Sequence, residues 1–340
     1  DDPATAAVFL PEIERVLEAV REGREPPSAA VDELEARLGW YGRLAGSLGD
    51  PAALDAMRAE AGRTVVVLFA LLGGAGLVGL LGFVGLVVLL VFALTGRLAD
   101  RIRPTSHHGV YAETFAIWLP SLLLLQFVVA LVAPPSLVVL ASAVAFFASL
   151  LVLAWPVVRG VPWRTVRADI GLPAVRFRDV PLGIAGYAMS LPLLAVGLLL
   201  TLLLILLATL FSGESPSPSH PAQQALVGGG AWQAVQIFVL ATIAAPIVEE
   251  IMFRGVLFSH LRGAMRGWHA SAGIAVAALI SSVIFAAIHP QGLVFIPALA
   301  GLGVGFCLCR EWTGSLVPAM VAHAVSNGLV LSLSLFLFAS

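Results

Sequence analysis

Five ionisable side chains lie in apolar surroundings in the second half of this chain: Glu249, Glu250, Arg254, His289 and His323. A bilayer interior penalises each by on the order of 2.5–3.5 kcal/mol unless it faces protein or water, so each marks a candidate site with a partner. Carboxylates and imidazoles are the groups that take a proton from water and return it, so the chemistry on offer is acid–base work on a water molecule. Glu249 and Glu250 sit inside the apolar run from Ala234 to Phe258, His289 ends the next run, His323 lies within the last, and Asn327 follows His323 by one helical turn. On an α-helix, residues four apart share a face, so Glu250 and Arg254 can pair. That leaves Glu249, rotated by about 100° from Glu250, as the carboxylate free to face a cavity and act on water. Phe285 with His289, and His323 with Asn327, present one face each. The same spacings also admit structural readings: Glu250–Arg254 as a buried pair, His289 as a helix-end imidazole on a carbonyl, and His323–Asn327 as an interhelical clamp.

Three helices must carry these faces to one place. At a rise of 1.5 Å per residue, Glu249 lies about 20 Å above the end of its helix, His289 about 28 Å above the start of its own, and His323 about 15 Å above the base of the last. Tilted helices accommodate that scatter, and convergence near mid-membrane is expected. Pro246, three residues before Glu249, loosens its helix and opens a polar niche there.

The composition demands lipid. With 59% hydrophobic and 12% charged residues, the chain lies far from soluble averages, where about a quarter of residues are charged. Long apolar runs exclude a β-barrel and predict an all-α, polytopic transmembrane bundle of about eight spans, near 64–95, 115–133, 135–158, 181–211, 231–259, 270–289, 291–310 and 315–338. The expected organisation is an extramembrane helical region over 1–62, a first transmembrane half over 63–212, a Ser/Pro/Gly-rich loop over 213–230 ending in Gly228, Gly229 and Gly230, and a chemical half over 231–340. In the N-terminal region a first amphipathic helix carries Phe9, Ile13, Val16, Leu17 and Val20. A second starts after Pro26, Pro27 and Ser28, and a third starts at Asp50 as N-cap with Pro51 following. Gly73, Gly74 and Gly76 leave the first span open to two readings, one tilted helix or a tight hairpin. Taken as one span, it puts eleven arginines (97, 101, 103, 159, 164, 167, 176, 178, 262, 266 and 310) on one side, and by the positive-inside rule that side is cytoplasmic. Residues 1–62 then lie outside, and a start at Asp1 fits either signal-peptide removal or trimming. All 19 basic residues are Arg, and the net charge of −2 points to no nucleic-acid partner. Cys307 and Cys309 read as packing residues, Gly301 and Gly305 as a close-packing face, and His107, His108, His220, His260 and His269 as surface residues.

The ordered trio Glu249-Glu250-Ile251-Met252-Phe253-Arg254, Phe285-Ala286-Ala287-Ile288-His289 and His323-Ala324-Val325-Ser326-Asn327 resembles the EExxxR, FxxxH and HxxxN motifs of the CAAX-protease and bacteriocin-processing family. The resemblance covers about residues 181–338. It implies an intramembrane endopeptidase acting on a membrane-associated peptide or protein, in the bacterial cytoplasmic membrane. Glu249 and His289 would handle the attacking water, His323 and Asn327 would stabilise the oxyanion, and Arg254 would orient the Glu pair. No cofactor is expected. The alternative is Zn²⁺ held by Glu249, His289 and His323 with an open water position, against which stand the lack of HExxH and the delivery of ligands one per helix. The rival functions are a catalytically silent scaffold or immunity factor of the same family, and a transporter using Glu249 and the histidines as a proton relay.

Overall fold

A computed structural model describes residues 14–16, 18–22, 24, 26–48, 50–97, 102, 104–172, 175–213 and 230–338. The expectations for Phe9, Ile13, Leu17, Arg101, Arg103, His220 and residues 214–229 lie outside these described residues. No strand occurs among them, and eight helices are long and apolar enough to cross a membrane. These are Pro51–Leu94, His108–Val132, Val138–Val158, Asp179–Ser212, Gly230–Ala264, Ala270–Ala287, Leu293–Thr313 and Val317–Phe336, referred to below as spans 1 to 8. The protein is an integral, multi-pass helical membrane protein.

The chain folds as two compact units, residues 1–77 and 78–340. In the first, helix Ser28–Leu38 ends at Gly39, whose φ of +56° is a backbone conformation suited to glycine. Leu34 packs with Val16 and Ala30 in a small apolar core. Asp50 caps the next helix as expected, accepting from the Ala52 N–H at 2.8 Å. That helix then departs from expectation, because it continues without a break through the glycines as Pro51–Leu94. Nothing between Arg63 and Thr64 stops it, and in lipid a helix interior tolerates glycine while a hairpin would leave backbone groups unpaired. The single-span reading holds.

In the second unit, spans 4 and 7 approach to backbone contact. A Cβ on Gly301 would stand 2.4 Å from Leu193 O, one on Gly305 2.1 Å from Ser190 Oγ, and one on Gly197 2.3 Å from Pro297 O. With little hydrophobic drive between helices in lipid, small residues gain packing by close approach, which is the role expected of Gly301 and Gly305. A second core gathers Tyr111, Trp118, Val166, Ile170, Phe253 and Phe285 around span 5. Of the expected surface histidines, His269 is exposed. His108 and His260 are half-buried instead: their rings lie 5.7 Å apart and His260 Nδ1 donates to His108 O at 2.8 Å.

Candidate active site

Span 5 is not one regular α-helix. It contains π-helical segments at Leu240–Ala244 and Glu250–Leu257, flanking the short α-helical turn Ala245–Glu249. The first has a local cause. The Ala245 N–H reaches back five residues to Leu240 O, so in the same register the partner of Ala241 O would be the N–H of residue 246, which is proline. The orphaned carbonyl accepts instead from Asn327 Nδ2 of span 8 at 2.8 Å. Pro246 thus loosens the helix just before Glu249, and Asn327 holds the loosened turn.

Glu250 and Arg254 are fully buried and joined at 2.8 Å. Arg254 also points NH2 at Gly303 O, 3.4 Å away, and its guanidinium carbon lies 4.4 Å from the Phe285 ring centre and 5.3 Å from that of Phe306. Desolvated cation–π contacts of this kind contribute about 2 kcal/mol. Gly303 makes room, since a Cβ there would meet Arg254 NH2 at 3.1 Å. Glu250 Oε1 has a second donor: His323 Nδ1 lies 2.9 Å away. The second glutamate therefore anchors both Arg254 and His323, a tie that spacing along one helix could not reveal.

Glu249, His289 and His323 converge. His289 Nδ1 donates to Phe285 O at 2.7 Å, and its Nε2 lies 3.9 Å from Glu249 Oε2. His323 Nε2 lies 3.8 Å from the same oxygen. Because each Nδ1 is committed as a donor, each neutral ring turns an Nε2 lone pair toward a carboxylate oxygen that has no hydrogen-bond partner of its own. Three acceptors facing one another require a donor between them, and a water molecule supplies two. Two hydrogen bonds of about 2.8 Å to one water set their acceptors about 4.5 Å apart, whereas tetrahedral Zn²⁺ bonded at about 2.0–2.1 Å sets ligand atoms about 3.3 Å apart. The observed 3.8 and 3.9 Å fall between the two. Glu249 and His289 retain 13% and 17% side-chain exposure against 5% for His323, so the cluster is reached from the Glu249–His289 edge. Phe285 lies edge-on to His323 and 4.3 Å from the His289 ring, and Phe306 stacks on His323 at 5.3 Å.

Of the expected site residues, Glu249, His289 and His323 meet directly, Glu250, Arg254 and Phe285 form the layer behind them, and Asn327 bonds a backbone carbonyl one turn away. Sequence reasoning missed Phe306, which is one apolar residue in an apolar span and gives no signal. It also missed Glu311, buried and bonded to Arg262 at 2.5 Å; the intramembrane-charge argument applied to span 7 would have found it.

Fold and site together define a polytopic helical membrane protein with a carboxylate–imidazole cluster buried among its last helices. Residues 231–329, which hold all three motifs, match the family model described as type II CAAX prenyl endopeptidase Rce1-like. Over 127 residues the chain is 33% identical to the membrane-embedded CAAX protease MroQ of Staphylococcus aureus (strain USA300), a match covering 37% of this chain and 49% of that protein. The chain thus spans about half the length of the curated relative it matches. No solved structure shows a significant match. The resemblance to the CAAX-protease family read from three short motifs is borne out over residues 231–329.

Proposed function

We propose that the protein hydrolyses a peptide bond of a membrane-associated peptide or protein inside the bilayer, with Glu249 as the base that activates water. The observation that carries this reading is the unpartnered Glu249 Oε2 with two imidazole Nε2 atoms 3.8 and 3.9 Å away. A water held there donates one O–H to Glu249 and one to His289. Glu249 takes a proton as the water oxygen attacks the carbonyl carbon, and it returns that proton to the departing amine. His323 is suited to the developing oxyanion if a proton taken up from bulk water before substrate binds sits on Nε2 and is returned there after turnover, because Glu250 at Nδ1 offsets the imidazolium charge. Asn327 keeps one Nδ2 hydrogen beyond its bond to Ala241 O and can offer it to the same oxygen. In this reading the protein lies in a bacterial cytoplasmic membrane with its Arg-bearing loops inside, which the MroQ similarity and the Arg distribution support.

The test is reconstitution in liposomes with membrane-anchored peptides, reading products by mass spectrometry. Cleavage that disappears in Glu249→Gln supports the reading. Cleavage-free protein that moves solute, or cleavage indifferent to Glu249, overturns it.

A further inference from the structure

An open recess of about 390 Å³ lies at the Arg-bearing end of the second unit, with Trp163, Arg164, Arg167, Gly171, Leu172 and Gly314 in its wall. Its size falls in the roughly 300–1,000 Å³ range of small-molecule sites. The wall is the short helix Trp163–Ile170. Val166 and Ile170 on that helix are fully buried in the core that also holds Phe253, which directs Arg164 and Arg167, three residues apart, to the other face. The helix is firmly pinned. Asp169 accepts from Thr105 Oγ1 at 2.6 Å and from Tyr111 Oη at 2.9 Å, its carbonyl accepts from Ser259 Oγ at 3.0 Å, and Leu316 N–H donates to Gly171 O at 2.9 Å. The one carboxylate of the helix is thereby engaged elsewhere, and among the described residues no acidic side chain lines the recess. Among the described residues neither arginine has a carboxylate partner. Arg167 NH2 reaches only Leu172 O, at 3.3 Å.

Depth and composition narrow the ligand. The helix begins five residues after span 3 ends at Val158, and Gly314 joins spans 7 and 8, so the recess sits where the apolar runs stop, at headgroup level. Trp163 is 45% exposed beside the arginines, the placement of an indole at a membrane–water boundary. We propose that this recess binds the phosphate headgroup of an anionic phospholipid. The Arg164 and Arg167 guanidinium groups take the phosphate oxygens, and Trp163 and Leu172 flank the glycerol and the first methylenes. Planar guanidinium forks match phosphate geometry, and basic recesses between membrane helices favour acidic headgroups. The apolar walls and the depth select a lipid over free phosphate.

The experiment titrates the full-length protein in non-ionic detergent with phosphatidylglycerol, phosphatidylcholine or inorganic phosphate, reading retained lipid by native mass spectrometry together with the thermal midpoint. Phosphatidylglycerol is expected to be retained and to raise the midpoint, and the other two to do neither at the same concentration. R164Q/R167Q should weaken phosphatidylglycerol retention about 25-fold, from about fivefold per arginine. R97Q/R176Q removes the same charge from the same side, but neither residue lines the recess, so with solvent screening between them and the headgroup it should weaken retention less than about threefold. Equal losses in the two double variants would overturn the site, because the charge of the whole face would then suffice. Equal protection by inorganic phosphate would overturn the lipid assignment. Should the glutamine pair fail to fold, R164K/R167K keeps both charges without the planar forks: a loss of about fivefold supports the site, and wild-type retention overturns it.

Discussion

Replacing Glu250 tests the architecture of the site most severely, because one oxygen, Oε1, accepts from both Arg254 at 2.8 Å and His323 at 2.9 Å in a fully buried position. Glu250→Gln keeps an acceptor oxygen but removes the charge, leaving the Arg254 guanidinium buried without its counter-ion. Breaking a buried pair in this way costs about 3–5 kcal/mol. The cation–π contacts to Phe285 and Phe306 survive the change and, being present in both proteins, cancel from the difference, so a net loss of about 3–5 kcal/mol is expected. The same substitution weakens the hold on His323, so turnover should fall as well. Removing both charges separates the two effects. Replacing a buried ion pair by apolar residues of similar volume is often neutral or stabilising, so Glu250→Leu/Arg254→Met should recover the stability that Glu250→Gln loses while leaving His323 Nδ1 without its acceptor and turnover low. Thermal unfolding in detergent and peptide cleavage on the three proteins decide the matter. A Glu250→Gln as stable as wild type, or an apolar double variant with full activity, would refute the dual-anchor reasoning.

Other outcomes follow from the same geometry. Glu249→Gln should lower turnover by about 10²–10⁴ with the fold intact, since it removes the proton acceptor and breaks no hydrogen bond of Oε2; near-normal cleavage would sink the base assignment. Cleavage should withstand metal chelation if water alone bridges Glu249 and the imidazoles, and activity lost to a chelator and restored by Zn²⁺ would favour the alternative. Gly305→Ala, whose Cβ would stand 2.1 Å from Ser190 Oγ, should cost about 1–3 kcal/mol by overpacking spans 4 and 7, measured as a fall in the detergent thermal midpoint. Thiols introduced near Arg97 and Arg164 should resist a membrane-impermeant reagent applied to intact cells, and labelling from outside would reverse the proposed orientation.

Much of the fold was legible because lipid imposes one rule, that backbone groups be satisfied within helices, and apolar length then reports each span. The eight expected runs correspond one to one with the eight helices. Glycine spacing left two readings open at the first span, where Gly73, Gly74 and Gly76 admitted a hairpin, and the continuous helix Pro51–Leu94 is the single-span one. Within the site, four-residue spacing found the Glu250–Arg254 pair and left Glu249 to face elsewhere. It could not find the His323–Glu250 bond or the π-helical segments. The first joins residues 73 apart, and the second changes the number of residues per turn on which the spacing argument rests. Asn327 shows the same limit. Its spacing from His323 suggested a shared polar face, whereas its bond partner was decided by a proline 81 positions earlier.

The Pro246–Asn327 arrangement makes two distant codons interdependent. Pro246→Ala would restore an N–H able to bond Ala241 O from within the helix, and Asn327 would lose the task of satisfying that carbonyl. A leucine at 327 on the parental background strands a buried carbonyl, whereas on the alanine background it should be far better tolerated. Random mutagenesis starting from this chain would therefore find the change at 327 harmful alone and milder on the Pro246→Ala background. Combinatorial libraries aimed at new specificity should vary 246 and 327 jointly, because a scan of single positions would discard changes at 327 that a change at 246 makes tolerable.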